Sequence, residues 1–404
     1  MTTDPGALVA DAVRRGVIPG AVLMYGCGGG GGGASVGEVR GGAFGEGVTA
    51  GMVYDLASLT KVVATLPMVL GLVGAGEVGL DDAVVRFLPG FGVGSGASRV
   101  GGGAGAGASV DVGGGDAELA AAKRRVTVRQ LLSHSSGLPA IREVWRLPGT
   151  AEDRIAAVVA EPLESAPGTV VRYSDPGFIL LGLIVEAVVG KRLDQAFAEL
   201  VAAPLGLTAT GFRRIGAGGE WGEWGGGRLV DGVAATEANW FAEPGREDPK
   251  AGVVHDENAE SFGGVAGQAG LFGTASDLAT YLRAGWLAED SPILDPVVRA
   301  EALRCQTGGL DGVRGLGWTL RGDSFDFMSD AWPAGGAGHT GFTGTSVAFD
   351  VESGLWCVLL TNAVLFGRGN RARELRRGVH AAVAGEFGVD TEYEQETSTS
   401  RITA

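Results

Sequence analysis

Ser58-Leu59-Thr60-Lys61 stands where a polar segment gives way to helical periodicity running from Thr60 to Leu72. In that setting Ser58 lies at or near a helix N-terminus. Lys61, three residues on, projects from the same face one turn later. A serine hydroxyl is a weak attacker until a base comes within hydrogen-bond reach, and the positive end of a helix favours negative charge developing beside it. The same spacing also occurs on ordinary solvated helix faces, so the tetrapeptide takes its meaning from what accompanies it.

Two further tripeptides accompany it. Tyr173-Ser174-Asp175 immediately precedes an apolar helical stretch, Gly177 to Val189. His339-Thr340-Gly341 precedes Phe342-Thr343-Gly344, after which Thr345 to Val351, the turn Glu352-Ser353-Gly354 and Leu355 to Thr361 read as a β-hairpin. Other helical patterns cover Leu8 to Arg15, ending at Gly16, and Leu193 to Ala203, Ser276 to Leu287 and Arg371 to Val383. Strand-like runs therefore gather at the two chain ends and helices in the middle. This arrangement predicts an α/β fold of the α+β type. One domain over 1–389 has an antiparallel sheet flanked by helices and built from both ends, about 1–60 and 290–389, with a mainly helical part, about 61–289, inserted between them. A cleft between the two parts is where a ligand belongs. Pro67 removes a backbone donor inside the helix that follows Ser58 and predicts a kink there.

Taken in order, a serine-lysine pair on an early helix, a tyrosine tripeptide in the helical middle and a basic-Thr-Gly strand near the end resemble the serine β-lactamase and penicillin-binding-protein superfamily. Within it, the middle element beginning with Tyr resembles the class C β-lactamase and esterase branch. The resemblance extends through Ile18-Pro19-Gly20, Leu56 to Thr65 and Val126 to Pro139. It also takes in His255-Asp256-Glu257-Asn258-Ala259 and the run Gly263 to Phe272, so it spans nearly the whole chain. It implies a β-lactamase/transpeptidase-like fold and an acyl-enzyme hydrolase needing no cofactor and no metal. By that likeness Ser58 is the nucleophile, and Lys61 and Tyr173 share the proton transfers. The backbone N–H groups of Ser58 and Phe342 form the oxyanion hole. Asp175, His339, Thr340 and Gly341 line the substrate site, and the absence of a Cβ at Gly341 is expected to let the strand approach the substrate.

The sequence departs from the β-lactamase pattern at three places. His339 stands where a β-lactamase has Lys, and a mostly neutral imidazole is a poor anchor for a carboxylate. Asp175 stands where Asn is usual, and a carboxylate there should hold Lys61 charged and repel an anionic substrate. Gln268 stands where relatives often carry His, with no consequence legible in sequence. The first two departures point to small esters or uncharged amides rather than β-lactams or D-alanyl-D-alanine peptides. Transfer of the acyl group to an alcohol or amine in a biosynthetic pathway is the alternative, and a non-catalytic binding protein on the same scaffold is a third.

Composition narrows the rest. With 404 residues, 45% hydrophobic and 20% charged, the chain is long enough for a sizeable core. Its net charge of −15 disfavours nucleic acid and anionic membrane surfaces and fits a small neutral or cationic ligand. Cys27, Cys305 and Cys357 make neither a disulfide framework nor a zinc motif. With no basic-then-apolar leader and no apolar run of membrane-spanning length, the expectation is a cytoplasmic protein. The oligomeric state is not legible. Glycine, 73 residues, concentrates in Gly28 to Gly33 and across Gly92 to Gly115, which read as loops, the second a mobile insertion within 92–117. Residues 390–404 read as a disordered acidic tail.

Several chemical readings are set aside. Gly33-Ala34-Ser35-Val36-Gly37 matches a nucleophile elbow, and Gly26, Gly28 and Gly31 a dinucleotide fingerprint, but neither has the strand and helix its motif requires. His255, Asp256 and Glu257 are adjacent side chains that cannot readily converge on one metal ion. His134 lies in Leu132-Ser133-His134-Ser135-Ser136-Gly137-Leu138-Pro139, a turn that reads as architecture. Trp221, Trp224 and Trp240 border the site or merely pack.

Overall fold

The structure is a computed structural model that describes residues 4–28, 41–42, 48–92, 115–214, 232–237, 250–369 and 372–388. The glycine run after Gly28, the core of the 92–117 insertion, Ser35, Trp221, Trp224, Trp240 and the acidic tail lie outside the described residues.

Six antiparallel strands form the main sheet, in the order Gly41–Gly42, Gly20–Cys27, Leu355–Thr361, Ser346–Phe349, Ala337–Thr340 and Thr319–Leu320. The first and last thirds of the chain meet at its centre, where Ala21 to Cys27 pair with Thr361 to Leu355. Alternation along each strand divides the side chains between two cores. Val22, Trp356, Val358, Leu360, Val347 and Phe349 face the larger core under the helical part. Ala21, Leu23, Tyr25, Leu355, Cys357, Leu359 and Ala348 face the other, covered by the terminal helices Pro5–Arg14 and Ala372–Phe387. A sheet buried on both faces explains why Leu355 to Leu360 reads as an unbroken apolar run instead of an alternating one. All three cysteines are free thiols. Among the described residues, no helix is long and apolar enough to cross a membrane.

The middle of the chain is helical, as expected, but it also carries short strands. Tyr54–Asp55, Leu271–Gly273 and Gly211–Phe212 form a three-stranded sheet, and Ala235–Thr236 pairs with Lys250–Ala251. Elements of two or three residues are too short to show a period of two. Pro67 has a clear consequence for the helix after Ser58. The chain first makes a widened turn over Lys61–Thr65, with the Leu66 N–H reaching back to the Lys61 carbonyl, and only then an α-helix, Leu66–Gly74, with proline in its first turn. The helix is already under way from Ser58, so the missing Pro67 N–H leaves the preceding turn one donor short. The Tyr281 hydroxyl donates to the Val62 carbonyl inside the widened turn.

Candidate active site

Ser58 is positioned by the turn that precedes its helix. The buried Asp55 carboxylate accepts from the Ala57 N–H at 2.8 Å and from the His255 N–H at 2.6 Å. Ala57 is thereby held at φ 46°, a conformation that costs a non-glycine residue about 1–3 kcal/mol and persists only where the surroundings impose it. Thr343 Oγ1 donates to the Asp55 carbonyl at 2.7 Å and Thr345 Oγ1 to the Leu56 carbonyl at 3.3 Å, tying this turn to the C-terminal strands. The Leu59, Thr60 and Lys61 N–H groups bond back to the carbonyls of residues 56, 57 and 58, so the helix begins at Ser58.

Lys61 is fully buried; its ammonium donates to Ser58 Oγ at 3.0 Å and to the Gln268 carbonyl at 3.1 Å, and it forms an ion pair with Asp175 Oδ1 at 2.8 Å. Burial works against its charge. The Asp175 carboxylate, aided by Tyr173, outweighs that effect and raises the lysine above its ordinary range.

Tyr173 arrives on the extended segment before the helix Asp175–Val189, whose Ser174 N-cap accepts from the Gly177 N–H at 3.2 Å and whose first turn carries Pro176. Lys61 Nζ lies 4.9 Å from the centre of the phenol ring. Burial raises the phenol pKa, with Asp175 adding to the rise, while Lys61 and the hydrogen-bonding influence of Ser58 act to lower it. From the strand Ala337–Thr340, His339 brings its ring centre to 5.8 Å from that of Tyr173. His339 is pushed down to about 3 by burial, with Lys61 and Arg314 adding, so it is neutral at pH 7. Its Nδ1 bonds the Thr340 carbonyl at 2.8 Å, which places the ring proton there.

Gly341 is required for a reason other than approach to substrate. A Cβ there would lie 2.5 Å from the Leu56 carbonyl oxygen and 2.1 Å from Thr345 Oγ1. The strand end thus presses against the backbone of the Ser58 turn. Arg376 of the terminal helix, buried, clamps that strand end by donating to the Gly341 and Thr345 carbonyls at 3.0 and 3.1 Å. Gly341→Ala is expected to cost about 1–3 kcal/mol through overpacking, read as a lowered Tm; an unchanged Tm would contradict the close approach.

Ser58, Lys61, Tyr173, Asp175 and His339 thus come together from a helix start, a helix N-cap segment and a strand. The sequence model of the Beta-lactamase family matches residues 6–381. The chain belongs to the Beta-lactamase family. This is a family of serine hydrolases. A protein of Escherichia coli (strain K12) named "Putative D-alanyl-D-alanine carboxypeptidase" is 31% identical over 341 residues, covering 78% of this chain and 70% of that one. The fold is shared with EstCE1, described as a hydrolase with promiscuous acyltransferase activity, at TM-score 0.67 and 21% identity over 93% of this chain and 97% of the other. It is also shared with a mutant of simvastatin synthase (LovD) from Aspergillus terreus, at TM-score 0.66 and 20% identity over 95% and 98%.

Within this Beta-lactamase family member, three contributors carry no signal in the motifs. Asp55 acts through backbone amides, Gln268 reaches Lys61 by its main-chain carbonyl, and Arg376 lies in the last helix. The Gln268 side chain donates to Asp256 Oδ1 at 3.2 Å. Asp256 itself is raised to about 6 by burial, with Asp175 adding. The adjacent His255, Asp256 and Glu257 diverge: His255 Nε2 meets Glu237 at 3.0 Å, Asp256 caps the helix Glu257–Ser261, and Glu257 pairs with Arg368.

Proposed function

We propose that the chain is a serine hydrolase acting through an acyl-enzyme on small esters or uncharged amides, with Ser58 as nucleophile and Lys61 and Tyr173 as its acid-base pair. The observation that carries this reading is the 3.0 Å contact from Lys61 Nζ to Ser58 Oγ inside a buried cluster that also includes the Tyr173 ring. Ser58 Oγ attacks the acyl carbon and its proton passes to the pair. The pair then protonates the leaving group, and a water repeats the sequence to release the acid. With Lys61 held as an ammonium and the phenol pKa raised, the base is the pair after it loses one proton, a macroscopic step that belongs to both groups. The backbone N–H groups of Ser58 and Phe342 would receive the oxyanion. Thr340 and Gly341 would line the substrate beside Asp175 and His339.

The preference for uncharged substrates rests on charge. Asp175 is paired with Lys61, His339 is neutral, and Arg314 is paired with Asp323 at 3.2 Å. The relative's name points to a peptide that ends in a carboxylate, and these three groups offer such an end little attraction. Exposure to a fluorophosphonate and to a short-chain p-nitrophenyl ester, followed by intact mass and p-nitrophenol release, tests the proposal. One adduct and ester turnover exceeding that of a D-alanyl-D-alanine peptide are expected. An added alcohol that captures the acyl group in place of water would move the reading to an acyltransferase, and a protein that neither labels nor turns over would be a binding protein.

A further inference from the structure

Tyr173 must be held on an extended segment with no helix or sheet of its own, and a single residue from a distant turn supplies that support. The Arg172 N–H donates to the His134 carbonyl at 2.8 Å, and the Ser174 N–H donates to His134 Nδ1 at 3.1 Å. The ring of the same histidine lies 4.6 Å, centre to centre, from the Tyr173 ring and 5.1 Å from Phe178. We propose that His134 is a positioning residue for Tyr173, accepting the amide hydrogens on either side of that tyrosine and backing its phenol ring. The inference rests on the functional reading above, in which Tyr173 moves protons.

Two costs mark the position as imposed. His134 is held at φ 57°, the left-handed region that non-glycine side chains mostly avoid. With Nδ1 accepting, the ring proton sits on Nε2, which is buried and has no hydrogen-bond partner among the described residues. Such an orphaned donor ordinarily costs about 1–3 kcal/mol. The turn that follows completes the cradle: Ser174 Oγ donates to the Pro139 carbonyl at 2.7 Å and the Asp175 N–H to the Ala140 carbonyl at 2.9 Å. Protonation of Nδ1 would set a donor against the Ser174 N–H. Burial, with Arg314, Lys61 and His339 adding, holds the imidazole well below its usual range, so the clamp stays intact across neutral pH.

The test compares wild type with His134→Gly, His134→Gln and His134→Asn. Glycine keeps the left-handed backbone and loses Nδ1 and the ring. Asparagine tolerates that backbone and can place Oδ1 where Nδ1 stands, whereas glutamine reaches too far. The glycine and glutamine variants are expected to fold and to lose about 10- to 100-fold in kcat on a p-nitrophenyl ester, with KM nearly unchanged. The asparagine variant should recover most of that loss. The Tyr173 phenol, titrated by ultraviolet absorbance as the difference from Tyr173→Phe, should show a lower pKa in His134→Gly as water enters. A folded glycine or glutamine variant with wild-type kcat and phenol titration would overturn the proposal, and so would an asparagine variant no better than glutamine. If glycine prevents folding, the asparagine-glutamine pair decides. A wild type that neither labels nor turns over ester would sink the functional reading instead, and the phenol titration would still report on the clamp.

Discussion

Ser58→Ala is expected to lower kcat on any substrate the protein accepts by about 10,000-fold or more, the scale on which removal of a covalent nucleophile acts when the other groups work as a unit with it. The substitution should leave the fold in place. Ser58 Oγ accepts from Lys61, which keeps its bond to the Gln268 carbonyl and its ion pair with Asp175, so one hydrogen bond to a charged donor is lost at a partly exposed position. That costs about 1.5–3 kcal/mol, a shift of a few degrees in Tm for a chain of this size. The fluorophosphonate adduct seen by mass in wild type should vanish in the variant. A folded Ser58→Ala protein with full ester turnover would remove Ser58 from the chemistry, and an adduct persisting at wild-type occupancy would place the nucleophile elsewhere.

How much of this was legible from sequence depends on where each interaction comes from. The central pairing of Ala21 to Cys27 with Leu355 to Thr361 could be anticipated because both runs are apolar and flanked by turn residues. The helix Asp175–Val189 announces itself through Ser174, Pro176 and a long apolar stretch. The geometry around Ser58 follows from spacing and from the ordered motifs. What stayed hidden acts through the main chain or across long separations. The Gln268 carbonyl gives Lys61 an acceptor from 207 residues away, and no side-chain pattern can reveal a backbone oxygen. Asp55 reads as a lone acid between the apolar neighbours Val53, Tyr54, Leu56 and Ala57, yet it fixes Ala57 and His255 together. His134 reads as part of a turn because its partners, at residues 172 and 174, are brought to it only by the fold. Gly341 was legible as a requirement but not for its reason, since the Leu56 carbonyl that excludes a Cβ belongs to the opposite end of the chain.

Asp175→Asn is the substitution that should change the chemistry most without removing a reacting group. Asp175 raises Lys61 and also raises Tyr173, so its loss lowers the proton affinity of both members of the pair, whichever of them gives up the proton. The midpoint at which ester acylation rises with pH is therefore expected to move down by about one unit or more, the scale of a neighbouring charge. Turnover at pH 7 should gain relative to turnover at high pH. Stability should respond with a definite sign. In wild type the folded pKa of Lys61 lies above its unfolded value, so its contribution is fully present below the unfolded pKa and is lost only as pH rises through the folded one. In the variant, burial dominates and sets the folded pKa below the unfolded one. The folded state then binds fewer protons between those two values, and stability climbs as pH rises toward 10 instead of staying level. Near pH 7 the unpaired ammonium should cost on the order of 3 kcal/mol, the lower end for breaking a buried ion pair, because Asp175 is itself 16% exposed. Rate profiles and thermal melts between pH 6 and 10 check both halves. An unmoved acylation midpoint would mean that Asp175 does not set the charge of the pair, and a stability that falls with rising pH would mean that Lys61 in the variant keeps its proton more tightly folded than unfolded.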